Sequence, residues 1–192
     1  IRDCNIFIEN IDAVADMNME EKQQWKAEAQ FLKAYYHFLL VRLYGPIPII
    51  DVNLPISAEV EEVRVTRDPV DDCFDYIVTT IDEAIPNLPV RITSNNQLGR
   101  VDQVIARSVK AKVLLYAASP LFNGNSEYYG TFTDHQGNTL FNTSYDAEKW
   151  KKAAEWSLPR TCWMPMAGCS CLPGPRFARP IFLCLNDGAS SP

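Results

Sequence analysis

Residues 20–50 read EEKQQWKAEAQFLKAYYHFLLVRLYGPIPII. Trp25, Ala29, Leu32, Tyr36, Leu39 and Leu43 follow one another by threes and fours, the spacing that puts side chains on one face of an α-helix. From Phe31 onward the opposite side is apolar too, through Phe31, Ala34, Tyr35, Phe38 and Val41. A helix that starts polar and ends apolar all round is expected to enter a core and be covered on both sides. Truncating Tyr36 or Leu39 to Ala should then cost roughly 2–5 kcal/mol. Asn18 reads as the N-cap, with Glu20 and Glu21 at the positive end of the helix dipole. Gly45 sits where a C-cap glycine belongs. Pro46 and Pro48 lack an amide hydrogen and push their predecessors out of the α region, so the helix cannot continue.

Outward from this helix the chain repeats the same grammar. Upstream, Ile6, Phe7, Asn10, Ile11 and Val14 lie along one side of a first helix, and the short turn at 17–21 makes the two an antiparallel hairpin. Downstream, residues 45–64 form a long connection whose second half, with Glu59, Glu61 and Glu62, faces solvent. Asp68 as N-cap and Pro69 at the first helical position announce a helix with the stripe Val70, Phe74, Ile77, Val78, Ile81 and Ile85, stopped by Pro86 and Pro89. A polar loop at 90–100 leads to a helix from Val101 to about Ser119. It carries Val104, Ile105, Val109, Val113, Leu114 and Leu115, with Ala106, Ala111, Ala117 and Ala118 small enough for close packing. Residues 123–144 are a long loop rich in Asn, Gly, Thr, Tyr and Phe, and Asp146 caps a last helix beginning AEKWKKAAEW. The layout predicts an all-α fold of stacked helical pairs with long loops.

Composition narrows the function. The net charge of −6 argues against a phosphate-binding footprint and hence against nucleic acid. Removing the three arginines (Arg160, Arg176, Arg179) and Asp187 of the final stretch leaves 15 basic against 23 acidic residues, a net of −8. Lys33, His37 and Arg42 interrupt the best apolar run, so no transmembrane helix is expected. The chain opens at Ile1 with no signal peptide or lipobox cysteine, which places any targeting segment outside this sequence.

Four stretches together resemble the SusD/RagB family, the surface glycan-binding lipoproteins of Bacteroidetes-type bacteria. They are AEAQFLKAYYHFLLVRLYGPIPII (27–50), VTRDPVDDCFDYIVTTIDEAIPNLP (65–89), GRVDQVIARSVKAKVLLYAASPLFNG (99–124) and YDAEKWKKAAEW (145–156), and they cover most of residues 20–156 in order. The resemblance implies a tetratricopeptide-like scaffold of helix pairs within a much longer chain, of which this would be an internal fragment. It also implies capture of oligosaccharides or other nutrients at the cell outer membrane, surface-exposed on a lipid anchor. Delivery would be to a SusC-like TonB-dependent transporter. On this reading residues 1–157 are the helical region. Residues 158–192, dense in Pro, Cys, Gly and Arg and without period, are an aberrant tail, frameshifted or disordered. Cys162, Cys169, Cys171 and Cys184 contain no C-x2-C pair, so a zinc site there fails on spacing.

The residues show no catalytic constellation, and the chain is expected not to be an enzyme. His37 sits mid-helix among aromatics as a core histidine, and His135 lies in a loop. Asp68, Asp71, Asp72 and Asp75 crowd a helix start, where capping and the dipole attract Asp anyway. A glycosidase would need two of these carboxylates in a cleft. Glycine-rich phosphate loops and nucleophile elbows are absent. No cofactor or metal site is expected. Binding remains. Aromatic rings cover the flat C–H faces of sugars while amides and carboxylates take their hydroxyls. Tyr128, Tyr129, Phe132, Asp134 and Asn138 offer that mixture in one loop, and Asn95 and Asn96 offer a weaker version in another. The competing reading of these aromatics is that they pack the loop onto the helices. The rival function is a helical-repeat adaptor for a protein or peptide, against which the long loops at 45–67 and 123–144 speak.

Overall fold

The computed structural model describes residues 1–157. The expected aberrant tail at 158–192 lies outside the described residues. The fold is all-α and tetratricopeptide-like: α1 (Arg2–Asn10), α2 (Met19–Tyr44), α3 (Val60–Val63), α4 (Val70–Ala84), α5 (Gln103–Ala118), α6 (Ser126–Tyr129) and α7 (Ala147–Ser157), with short 3-10 turns between some of them. Among the described residues, β structure is confined to one antiparallel bridge between Thr133 and Thr139. α1 folds back on α2, α4 packs between α2 and α5, and α7 covers α5.

The ends of α2 are set by local chemistry. The Asn18 side chain accepts from the Glu21 N–H at 2.8 Å while Glu21 Oε2 accepts from the Asn18 N–H at 3.3 Å, a reciprocal capping box. Gly45 ends the helix at φ 71°, with its N–H on the Val41 carbonyl at 2.9 Å. A Cβ there would lie 3.3 Å from Phe141 Cζ, so the stop also makes room for the loop that packs behind it.

Which side of α2 faces the core differs from the expectation of burial all round. Ala27, Phe31, Ala34, Phe38 and Val41 are buried and meet α4. The first-named stripe turns outward: Trp25, Leu32, Tyr36 and Leu43 are exposed, Tyr36 at 41 % and Leu43 at 75 %. Of that stripe, Ala29 is buried and Leu39 half-buried. In α1, likewise, Ile6 is exposed, while Asn5 and the following Ile11 are buried. In α5 the inward residues are Ala106, Lys110, Val113 and Ala117, whereas Val104, Ile105 and Leu115 face out. The alanines are what let α4 and α7 approach α5.

Of the expected α4 stripe, Val70, Phe74, Ile77, Ile81 and Ile85 are buried as the periodicity predicts, and Val78 is half-buried at its edge. Its first turn departs from the capping rule. Pro69 occupies the cap and the helix begins at Val70. Asp68 instead accepts from the Ile49 N–H at 2.7 Å, and its own N–H donates to the Ile47 carbonyl at 3.0 Å. The carboxylate therefore ties the extended segment after α2 to the start of α4.

Candidate functional site

The expected ligand loop begins where α5 stops. Asn123, buried, donates from Nδ2 to the Asp146 carbonyl and accepts from the Asp146 N–H, both at 2.8 Å, so one side chain clasps the two ends of the loop. Gly124 follows at φ 79°. A Cβ at this position would come within 2.9 Å of the Tyr145 backbone, which restricts the position to glycine. Asn125 then caps the single turn of α6 by accepting from the Tyr128 N–H at 3.1 Å.

Beyond α6 the loop is held by an aromatic ladder. Tyr129 and Phe141 stack face to face at 3.8 Å and 1°. Phe132 meets both rings edge-on, at 6.3 and 5.8 Å. Phe141 lies parallel to Phe122 at 6.4 Å, and Phe122 stands edge-on against Phe74 of α4 at 5.2 Å. The edge-on pairs, Phe132 with Tyr129 and Phe141 and Phe122 with Phe74, have the T-shaped arrangement that aromatic pairs favour. The loop backbone also serves α4, because the Leu140 carbonyl accepts the Val70 N–H at 2.9 Å, one of the free amides of that helix start. Lys149 of α7 reaches Asp71 at 2.5 Å and fastens the same corner.

The expected site residues divide within this frame. Tyr129 is half-buried in the ladder, its ring covered by Phe141. Tyr128 is 72 % exposed, and Phe132 keeps an open edge to solvent. Asp134 and Asn138 turn toward each other: the Asp134 carboxylate accepts from the Gln136 and Asn138 N–H groups at 2.8 Å each and from Asn138 Nδ2 at 2.9 Å. Those bonds, the Asn138 side chain foremost, hold the Asp134 carboxyl below the usual carboxylate range. They close the turn completed by Gly137 at φ 87°. Asn95 and Asn96 lie in an exposed 3-10 turn ahead of α5. The 123–144 loop follows the other end of that 16-residue helix, about 24 Å away at 1.5 Å per residue. The two loops therefore do not form one site.

A second polar cluster was not singled out by sequence. Lys33, buried in α2, donates from Nζ to the Asp51 carbonyl at 2.6 Å and to Asp51 Oδ1 at 2.8 Å, and the Tyr76 hydroxyl donates to the same Oδ1 at 2.9 Å. The Lys33 ammonium, ahead of Tyr76, holds the Asp51 carboxyl below its ordinary value. Burial, reinforced by Asp51, raises the Tyr76 phenol. His37 is buried behind them, edge-on to Tyr76 at 5.1 Å. The Ile50 N–H donates to its Nε2 at 3.3 Å, so Nδ1 carries the proton and donates to the Lys33 carbonyl at 2.8 Å. Desolvation lowers the His37 pKa and keeps the ring neutral. The available signal was a lysine inside an apolar helix; its partner lies eighteen residues on. Cys73, buried beneath Ile47, has its thiol pushed up to about 11 and is therefore protonated at neutral pH. No group of three or more His, Cys, Asp or Glu side chains among the described residues is placed to hold a metal ion. No described helix is long and apolar enough to cross a membrane.

A sequence-family profile for SusD-like proteins, described as starch-binding and associating with the outer membrane, matches residues 1–115. Among solved structures, the protein BT4246 superposes with a TM-score of 0.72 at 38 % identity, covering 80 % of this chain and 26 % of that one. A SusD-like protein from Bacteroides fragilis matches with a TM-score of 0.55 at 28 % identity, covering 61 % of this chain and 22 % of that one. A laminarin-binding SusD-like protein matches with a TM-score of 0.54 at 29 % identity, covering 60 % of this chain and 24 % of that one. This chain thus spans about a quarter of the length of the solved structures it matches. A search of curated proteins found no match.

Proposed function

This chain belongs to the SusD-like family, and on that premise we propose that it serves a surface nutrient-binding protein of the outer membrane. That protein captures a glycan and delivers it, chemically unchanged, to a SusC-like TonB-dependent β-barrel. The observation that carries the proposal is the family match, which runs through α1, α2 and α4 and most of α5. A solved relative described as laminarin-binding points the same way. A lipid anchor ahead of the helical region would hold the protein at the cell surface. Of the four carboxylates at the start of α4, Asp72 and Asp75 are exposed, while Asp68 holds the Ile49 N–H and Asp71 pairs with Lys149, an arrangement that favours binding over hydrolysis.

Within the chain, the proposed sugar contacts are the outward ring of Tyr128 and the open edge of Phe132. Tyr129, Asp134 and Asn138 shape the loop that presents them, and Asn95 and Asn96 are a separate, lesser surface. Affinity electrophoresis of the 192-residue chain in gels containing starch or laminarin tests this directly. Retarded migration, lost in Tyr128→Ala with Phe132→Ala, is the expected result. Free migration in every polysaccharide, or retardation that ignores both substitutions, would remove the loop from the proposal. We also propose that 1–157 is the helical region and 158–192 a tail of different origin. Resequencing the DNA around the Ser157 codon checks that: another reading frame should resume an amphipathic helix.

The adaptor reading keeps one observation in its favour, the outward stripe of Trp25, Leu32, Tyr36 and Leu43. It would gain if peptide ligands, and no glycan, bound the chain.

A further inference from the structure

The outward face of α2 lacks polar cover. Between Trp25 and Leu43, about 27 Å at 1.5 Å per residue, it presents Trp25, Leu32, Tyr36 and Leu43, all exposed, with Leu39 and Leu40 half-buried beside them. Glu28, the only acidic residue in that stretch, is drawn aside to Arg100 at 2.9 Å. Solvent faces of helices are ordinarily polar, and a run of exposed apolar side chains marks a contact surface. One charge beside the face is free. Arg42 is exposed, its guanidinium lying over the Phe38 and Tyr116 rings at 5.7 and 5.2 Å. It takes part in none of the ion pairs among the described residues.

We infer that this face is a dimer interface, on which α2 of a second copy of the chain lies antiparallel about a two-fold axis. Two features single out that occupant. The exposed residues step by seven, four and seven, a spacing that reads the same in both directions. An antiparallel copy therefore sets Trp25 against the partner's Leu43 and Leu32 against the partner's Tyr36. The charges match as well. Glu21, Glu28 and Arg42 stand at heptad intervals along one edge of the face, acidic toward the N-terminus and basic at the C-terminus. The antiparallel copy brings each free Arg42 alongside the partner's Glu28, a carboxylate with lone pairs to spare beyond its bonds from Arg100. A parallel copy would set Arg42 beside the apolar last turn of its partner and leave it unpaired. One helix seam is smaller than a standard interface of roughly 1,600 Å², which places the dissociation constant in the micromolar range. The inference concerns assembly and does not depend on glycan capture by the 123–144 loop.

Sedimentation velocity of the 192-residue chain under reducing conditions, from about 1 to 100 μM, tests the inference. The chain should pass from monomer to dimer across that range and go no further, as a closed two-fold pair requires. Leu32→Glu with Tyr36→Glu should weaken the dimer at least about tenfold, since each new charge is buried unpaired on association. Arg42→Glu should weaken it about fivefold, the scale of an exposed ion pair. Both variants should keep the parent's thermal melt at monomer concentration, because all three side chains are exposed. Ile56→Glu, fully exposed and outside α2, should leave association unchanged. A chain that stays monomeric throughout overturns the inference and gives the face to a different occupant. It is overturned equally if the dimer survives Leu32→Glu with Tyr36→Glu, or if Ile56→Glu disperses it as well. A dimer indifferent to Arg42→Glu would overturn the antiparallel pairing.

Discussion

At the scale of single residues, His37 makes acid stability predictable in sign. Its Nε2 must stay unprotonated to accept the Ile50 N–H, and burial lowers its folded pKa below 6.5. The unfolded chain therefore takes up a proton near pH 6.5 that the folded chain refuses, so stability falls as pH drops through 6.5 toward the lower folded value. Asp51, whose folded pKa is lowered from 3.8, adds a second loss at more acidic pH, as the pH falls through its folded pKa. The urea midpoint should be lower at pH 5.5 than at pH 7.5. In His37→Asn the midpoint should be lower at both values yet barely move between them. A parent chain whose midpoint is flat across that interval would mean the ring is hydrated and not buried. Phe38 and Tyr36 form a second contrast, two positions apart. Phe38 is 1 % exposed and stands edge-on to Tyr116 at 5.4 Å, so Phe38→Ala should cost about 3–5 kcal/mol. Tyr36 points outward, and Tyr36→Ala should stay within about 1 kcal/mol. Equal losses in denaturant melts would contradict the orientation of α2.

That contrast belongs equally to the scale of elements, because it shows what an apolar helix conceals. The ends of α2 were legible at Asn18 and Gly45, since caps are built from residues three or four positions apart. Its inward face was not. With Phe31 and Phe38 on one side and Leu32 and Tyr36 on the other, nothing local distinguishes them, and the choice is made by α4. The α4 stripe was readable because its other face is polar. Asp68 illustrates the reverse: a good capping residue was drawn away by an N–H from Ile49, nineteen positions earlier, which no local rule can see. The capping box offers an element-scale test. Asn18→Ala should cost about 1 kcal/mol, and adding Glu21→Ala should cost less than its separate effect, because each side chain serves the other's backbone. Strict additivity in a double-mutant cycle would mean the two bonds form independently.

At the scale of the whole molecule, the distinction is between residues that seat the 123–144 loop and those it presents. Its composition is that of a sugar surface, and composition cannot tell a stacked ring from an offered one. The polar cluster of Lys33, Asp51 and Tyr76 was invisible for a different reason, since α2, the segment after it and α4 must pack before the three meet. In the loop, Phe141 is 7 % exposed and touches Tyr129, Phe132 and Phe122, and its ring also closes against Gly45. Removing it empties a site between the loop and two helices, so Phe141→Ala should cost about 3–5 kcal/mol. The Leu140 carbonyl would lose its hold on the start of α4 as well, and hydrogen exchange at the Val70 amide should quicken beyond the global change. Tyr128→Ala, with its ring already in water, should leave the melt within about 1 kcal/mol and change only polysaccharide retention. The two effects are separable in one series of proteins. If Phe141→Ala unfolds at the parent's denaturant midpoint, the ladder does not seat the loop. If Tyr128→Ala destabilises as much as Phe141→Ala, its ring is a packing group and has no free face to offer a sugar.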